Sequence, residues 1–124
     1  MKTILLVEDD PFLIDIYTHK LKISGFEVKL ADNGRKALEI IKKEKPDLVL
    51  LDIVLPEIAG WEVLKKIKDG GSNNDLKIII LSNLGQKEEV EKGLKLGAVR
   101  YLIKAHFTPS EVVEEIKKVL KSKK

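Results

Sequence analysis

The chain has 124 residues, of which 44% are hydrophobic and 35% are charged. This length suits a single domain, so we expect residues 1–124 to form one packed domain, and the apolar share excludes intrinsic disorder. Cysteine is absent and only two histidines occur, which excludes disulfides, thiolate metal sites and a multi-histidine zinc site. No apolar run approaches the roughly 20 residues that span a bilayer, so we expect a cytoplasmic protein without a membrane segment.

The basic residues of the chain do not form a nucleic-acid-binding pattern. The formal net charge is +3, from 23 basic and 20 acidic residues. The single basic cluster is the C-terminal tail, which contains Lys117, Lys118, Lys121, Lys123 and Lys124. A lysine-rich last turn is favoured by the helix dipole, whereas nucleic-acid binding usually needs a denser basic stripe with arginine and aromatic residues. We therefore expect no direct binding of nucleic acid.

Strand-like and helix-like patterns alternate along the chain. Five short apolar runs predict strands at residues 4–7, 28–30, 48–51, 78–81 and 101–103. The first, third and fourth runs are apolar throughout, which is typical of strands that are covered on both faces of a parallel sheet. Helical periodicity follows each run, beginning after Pro11, after Asn33, at Gly60, at Gln86 and after Thr108. Strict alternation predicts an α/β fold, a doubly wound five-stranded parallel sheet with helices on both faces.

Charged and hydroxyl residues stand at the ends of four predicted strands. In sequence order they are Glu8, Asp9, Asp10, Asp52, Ser82 and Lys104. Each residue alone has an ordinary structural explanation; Asp10 before Pro11, for example, is typical of a helix N-cap. Ligands of open parallel sheets bind beyond the carboxyl ends of the strands, where these side chains would meet. Their convergence predicts one shared functional site.

The residue types at these strand ends favour phosphoryl chemistry. Glu8, Asp9 and Asp52 would repel one another if they were crowded together, and their pKa values would rise without compensation. A hard cation such as Mg²⁺ relieves this repulsion and attracts a phosphoryl group. Ser82 offers the phosphoryl oxygens a hydrogen bond, and Lys104 offers them a positive charge. Asp52 follows the most apolar central strand and is the candidate nucleophile for an aspartyl phosphate.

At these positions the chain resembles the receiver domain of bacterial two-component response regulators, in particular the single-domain, chemotaxis-regulator-like receivers. The resemblance covers essentially the whole chain. It rests on the acidic motif at residues 6–10, the strand and loop from 47 to 60 with Pro56, the hydroxyl strand at 79–82 and the last strand at 97–104. The resemblance implies a flavodoxin-like fold with strand order 2-1-3-4-5 and five helices.

The resemblance also implies a function for each site residue. Asp52 would accept a phosphoryl group from the phosphohistidine of a sensor histidine kinase or a phosphotransfer protein. The Mg²⁺ ligands would be Glu8, Asp9, Asp52 and the main-chain carbonyl of Val54. Ser82 and Lys104 would bind the phosphoryl oxygens. The chain would be a signalling protein, not an enzyme, that catalyses its own phosphorylation and slow dephosphorylation.

The switch implied by the resemblance connects the site to a partner-binding face. Tyr101 would turn inward when Ser82 moves toward the phosphoryl group. This movement would repack the face formed by the fourth helix, the fifth strand and the fifth helix, and so control binding of a downstream protein target. Because no output domain follows Lys124, we expect either a protein that acts through partners or a piece of a longer regulator whose output domain is missing.

The sequence departs from the family pattern at several positions. Ala105 follows Lys104 where the family usually has proline, often in a cis bond. Asn83 replaces a small residue, which would narrow access to the phosphoacceptor, and Ala59 replaces an acid.

Two apolar side chains stand at the positions that flank the path of an attacking water in this family. They are Val54 and Leu84. Apolar side chains cannot orient a water for attack on an aspartyl phosphate, so we expect slow self-dephosphorylation.

Three alternative functions make different demands on the same residues. A haloacid-dehalogenase-like phosphohydrolase would carry a second aspartate at position 54 and would need a cap domain. A flavodoxin would hold flavin phosphate in a hydroxyl- and glycine-rich loop, whereas residues 8–10 are all acidic. A phosphorylation-independent interaction module on the same scaffold is disfavoured by the complete residue set but stays open.

Overall fold

A computed structural model describes residues 1–70 and 76–121 of the chain. Two lysines of the basic tail, Lys123 and Lys124, lie outside these residues. None of the helices found in the two described ranges is long and apolar enough to cross a membrane.

Strands and helices alternate through the described residues. In chain order the elements are β1 (Thr3–Val7), α1 (Pro11–Ile23), β2 (Glu27–Ala31), α2 (Gly34–Glu44), β3 (Leu48–Leu51), α3 (Gly60–Asp69), β4 (Lys77–Ser82), α4 (Lys87–Lys95), β5 (Arg100–Ile103) and α5 (Pro109–Lys121). A short 3-10 turn, Lys104–His106, joins β5 to α5. The strands are parallel and lie in the order β2-β1-β3-β4-β5, which confirms the predicted fold class.

Side-chain caps begin α1 and α5 where the sequence predicts them. The Asp10 carboxylate accepts hydrogen bonds from the main-chain N–H groups of Phe12 and Leu13, at 2.9 and 3.4 Å. At the start of α5, the Thr108 hydroxyl accepts from the N–H of Glu111, whose carboxylate accepts from the N–H of Thr108 in return. These bonds satisfy main-chain donors that have no partner inside a helix. The Asp10 carboxylate is thus committed to α1, and Asp10 contacts the acidic site only through its main-chain N–H, which donates to Oε2 of Glu8 at 3.3 Å.

The central strand β3 is buried on both faces of the sheet. Leu48 and Leu50 pack with α1 and α5, whereas Val49 and Leu51 pack with α2 and α3. The pairing register places the last residue of β1, Val7, opposite Leu51 at the end of β3. Since the strands are parallel, the residues that follow β1, β3, β4 and β5 come out at the same edge of the sheet.

Gly60 lets the loop after β3 fold back tightly behind that edge. Its N–H donates to the carbonyl of Ile53 at 2.8 Å. A Cβ atom at Gly60 would lie 2.5 Å from the carbonyl oxygen of Asp52, which is too close for any other residue type. The start of α3 therefore rests directly on the main chain of the residue that follows β3.

We expect Leu50→Ala to lower the free energy of unfolding by about 2–5 kcal/mol, because it opens a cavity in the core. Leu50 is 1% exposed, whereas Leu94 on α4 is 45% exposed and serves as the matched control. We expect Leu94→Ala to stay within about 0.5 kcal/mol of the parent chain. Urea unfolding followed by circular dichroism measures both changes, and equal losses in the two variants would contradict the assigned core.

Candidate functional site

A lysine joins two buried carboxylates at the carboxyl edge of the sheet. The ammonium nitrogen Nζ of Lys104 lies 2.7 Å from Oδ2 of Asp52 and 2.8 Å from Oε1 of Glu8. Glu8 is 2% exposed and Asp52 is 6% exposed. The three residues directly follow β5, β3 and β1, so the parallel sheet alone brings them together. Sequence analysis grouped these residues but did not foresee that Lys104 also pairs with Glu8.

Burial governs the electrostatics of this group. Loss of hydration raises the pKa of Glu8, and the hydrogen bond from Lys104 only partly offsets this effect. Burial alone would lower the pKa of Lys104, but its hydrogen bonds to Asp52 and Glu8 outweigh burial and raise the pKa above its ordinary value. Lys104 therefore stays a cation at neutral pH and holds the two acids next to each other.

Three carboxylates form a cluster of oxygens that suits a divalent cation. Ligand atoms of Glu8, Asp9 and Asp52 all lie within 4.8 Å of one another. Asp9 is exposed, so the cluster opens to solvent on its side. Lys104 supplies one positive charge to a group of three carboxylates, and carboxylate oxygens are the ligands that Mg²⁺ prefers. The donor set therefore fits the predicted ion.

Val54 contacts the cluster through its main chain. Its N–H donates to Oδ1 of Asp52 at 3.2 Å, so both oxygens of that carboxylate have a partner, and the Val54 side chain is exposed. The ligand predicted for Mg²⁺ is the carbonyl of Val54, and that assignment stays a prediction.

The main chain of Leu84 connects the hydroxyl of Ser82 with that of Tyr101. Ser82 is fully buried, and its Oγ accepts a hydrogen bond from the N–H of Leu84 at 3.3 Å. The carbonyl of Leu84 accepts a hydrogen bond from the Tyr101 hydroxyl. Tyr101 is half-buried and points inward, and burial raises the pKa of its phenol. The sequence pointed to Leu84 only for its side chain, and the two hydrogen bonds of its main chain were not foreseen because main-chain groups leave no signal in residue types.

The departures from the family pattern occupy defined places around the site. The described residues contain no cis peptide bond, so the Lys104–Ala105 bond is trans, and a 3-10 turn begins directly at Lys104. Asn83 is exposed at the mouth of the site, beside Lys104 in a groove against α1. Ala59 is the N-cap residue of α3 and supplies no side-chain cap.

The chain is similar to known proteins over nearly its whole length. The family model described as "Response regulator receiver domain" matches residues 4–117. The chemotaxis protein CheY of Thermotoga maritima is 39% identical, covering 97% of this chain and 98% of that protein. A CheY-like receiver domain protein from Methanospirillum hungatei has a structure with a TM-score of 0.88 and 32% identity, covering 97% of this chain and 94% of that one.

Longer regulators match the chain over part of their length. The phosphate regulon regulator PhoB of Pseudomonas aeruginosa is 36% identical over 97% of this chain but only 52% of its own length. The chain thus spans about half the length of several curated relatives that it matches. The family match and the geometry agree: the chain belongs to the receiver-domain family of two-component response regulators, a class of phosphorylation-activated signalling proteins.

Proposed function

We propose that this chain is a signalling switch in which Asp52 reversibly accepts a phosphoryl group. The donor is the phosphohistidine of a sensor histidine kinase or a phosphotransfer protein. A carboxylate oxygen of Asp52 forms the new P–O bond while the N–P bond of the donor breaks, and the imidazole leaves with the electron pair. The product is an aspartyl phosphate on this chain.

The contact between Lys104 and Asp52 carries this proposal. A carboxylate that is 6% exposed, held at 2.7 Å by a lysine and next to two further acids, is poorly explained by stability alone, because a buried ion pair costs desolvation energy. The same lysine would neutralise phosphoryl oxygens, and Ser82 at the end of the neighbouring strand would supply a hydroxyl donor. These groups support in-line transfer onto Asp52.

The acidic cluster supports Mg²⁺ as the cofactor of this reaction. Glu8, Asp9 and Asp52 would hold the ion, together with the main-chain carbonyl of Val54. When bound, Mg²⁺ supplies positive charge to the phosphoryl oxygens during transfer. Glu8 and Lys104 would orient Asp52 through the ion pair already described.

The hydrogen bonds of Leu84 support a coupling between phosphorylation of Asp52 and the face formed by α4, β5 and α5. If the Ser82 hydroxyl turns toward a phosphoryl oxygen, the N–H of Leu84 loses its acceptor. The carbonyl of the same residue holds the Tyr101 hydroxyl, so a shift of this loop reaches Tyr101 directly. In this way, phosphorylation would repack the face of α4, β5 and α5 and change its affinity for a partner.

This function requires two kinds of partner for the chain. A sensor histidine kinase or phosphotransfer protein supplies the phosphoryl group, and a downstream protein target or an attached output domain responds to it. Catalysis by the chain is restricted to its own phosphorylation and slow dephosphorylation. Direct nucleic-acid binding is not part of the proposal, and the proposed location is the cytoplasm.

Asp52→Asn is expected to abolish phosphorylation by a small phosphodonor such as acetyl phosphate in the presence of Mg²⁺. Intact-mass spectrometry measures the adduct, which should be acid-stable and sensitive to hydroxylamine. Asp47→Asn is the control, because Asp47 precedes the same strand at the opposite edge, where its carboxylate accepts from the N–H of Thr3. An adduct that survives in Asp52→Asn would reject Asp52 as the phosphoacceptor, whereas no adduct in the parent chain would favour a phosphorylation-independent module.

Asp9→Asn is expected to weaken Mg²⁺ binding by roughly tenfold, equivalent to about 1.4 kcal/mol, because it removes one charged ligand. The neighbouring variant Asp10→Asn should bind Mg²⁺ like the parent chain, since Asp10 caps α1 and asparagine also caps helices. Calorimetric titration of the unphosphorylated chain with Mg²⁺ measures both. Equal affinities in the two variants would exclude Asp9 from the metal site.

The double variant Val54→Asn, Leu84→Glu is expected to shorten the lifetime of the aspartyl phosphate by at least about tenfold. Polar side chains at these positions can orient an attacking water, and full general-base catalysis contributes about 10²–10⁴-fold. The matched control is Val54→Leu, Leu84→Ile, which keeps both side chains apolar. An unchanged decay rate of the phosphorylated double variant would remove these residues from control of the lifetime.

A further inference from the structure

Strand β2 is an edge of the sheet, and its outer side carries main-chain groups that have no partner among the described residues. The strand pairs with β1 alone in the sheet that these residues form. The N–H of Glu27 donates to the carbonyl of Lys2, so the main-chain groups of this residue face the β1 side. Because this direction alternates along a strand, Lys29 also faces β1, whereas Val28 and Leu30 direct their N–H and carbonyl groups outward. Such an edge is a template for another strand.

The two faces of β2 carry different side chains at this edge. Phe26 and Val28 pack with the core cluster on the α1 side, and Leu30 on the same side is 40% exposed. A groove between α1 and β2 is lined in part by Val28 and Leu30, so α1 leaves this side of the edge open. On the opposite face Glu27 and Lys29 are both partly exposed, and their charged groups lie 3.6 Å apart. The edge therefore combines an apolar side with a side that carries both signs of charge.

The order of these charges makes β2 complementary to a second copy of itself. An antiparallel pair of β2 strands with its two-fold axis at Val28 places Glu27 of each copy opposite Lys29 of the other. An axis at Glu27 would place two glutamates opposite each other, and an axis at Lys29 would do the same with two lysines. Like charges directly opposite are unfavourable, so charge selects the register centred on Val28.

The same register uses the outward main-chain groups of β2. The N–H of Val28 donates to the carbonyl of Val28 in the other copy, and the N–H of Leu30 donates to the carbonyl of Phe26 there. The two-fold axis repeats both bonds. The N–H of Phe26 is not required, because it already donates to the carbonyl of Leu21 in its own chain at 3.1 Å. Leu30 then lies across from Phe26 of the other copy, which extends the apolar side of the strand.

We propose that β2 is a self-association surface, on which a second copy of this chain adds its own β2 in antiparallel orientation. The two sheets continue into each other across the interface, which is recognition by strand addition. This surface lies at the opposite edge of the sheet from β5, and none of its residues belongs to the acidic cluster. The inference goes beyond phosphoryl transfer and can fail or succeed independently of it.

Reversal of the edge charges tests the proposed register in the unphosphorylated chain. Two short strands form a small interface, so we expect the parent chain to dimerise with a dissociation constant of about 10 µM to 1 mM. Glu27→Lys and Lys29→Glu each place like charges opposite each other, so each variant alone should dimerise at least about tenfold more weakly. An equimolar mixture of the two variants should recover the association of the parent chain, because every lysine then faces a glutamate. Sedimentation equilibrium measures all of these samples.

Matched controls make the same charge changes away from β2. Glu62→Lys and Lys66→Glu alter exposed positions of α3 and should dimerise like the parent chain. Circular dichroism checks that every variant is folded. A parent chain that stays monomeric at about 1 mM would overturn the proposal. A mixture that associates no better than its separate components would also overturn it, because the dimer would then use another surface.

Val28→Pro tests the main-chain hydrogen bonds of the interface. Proline has no N–H, and edge strands accept it where the N–H faces solvent, so the fold should survive while dimerisation weakens at least about tenfold. Val28→Thr keeps the N–H and the branched side chain and should dimerise like the parent chain. Equal dissociation constants in these two variants would show that β2 does not pair through its main chain and would reject the proposal.

Discussion

The ion pairs of Lys104 with Glu8 and Asp52 tie the chemistry of this domain to its fold. Removing three charges from water is costly, and the cost is offset only if the charges meet at close range. That meeting requires β1, β3 and β5 to run parallel and to end at the same level. The geometry of the ion pairs therefore depends on the register of the sheet. That register is stabilised by a central strand that is buried on both faces.

The helices differ in how many apolar side chains they bury, and this difference suits a domain that changes the conformation of one face. Helices α1, α2, α3 and α5 each place apolar side chains in one of the two cores, so they support the site rigidly. Helix α4 buries little and is positioned by Trp61, Lys68 and the ring of Tyr101. A domain that must change one face without unfolding benefits from a helix whose position rests on a few exchangeable contacts.

Residue types and spacing were sufficient to predict the fold class and the members of the site. The uninterrupted apolar runs at β1, β3 and β4 indicated a parallel sheet, and the rule for parallel sheets placed Glu8, Asp52 and Lys104 at one edge. The pairing of Lys104 with Glu8 was not predictable, because it depends on side-chain reach. Neighbouring acids also diverged: Glu8 is buried, Asp9 is exposed and Asp10 caps α1, although the three look alike in sequence.

In the proposed switch, the main chain and the side chain of Leu84 have separate functions. The main chain links Ser82 with Tyr101, and the side chain affects the lifetime of the aspartyl phosphate. Both of its hydrogen bonds, to Ser82 and to Tyr101, use peptide groups that every residue except proline can provide. The leucine side chain takes no part in either bond. Under the proposed function, exchange of that side chain would change the lifetime of the aspartyl phosphate, while both main-chain hydrogen bonds would be kept.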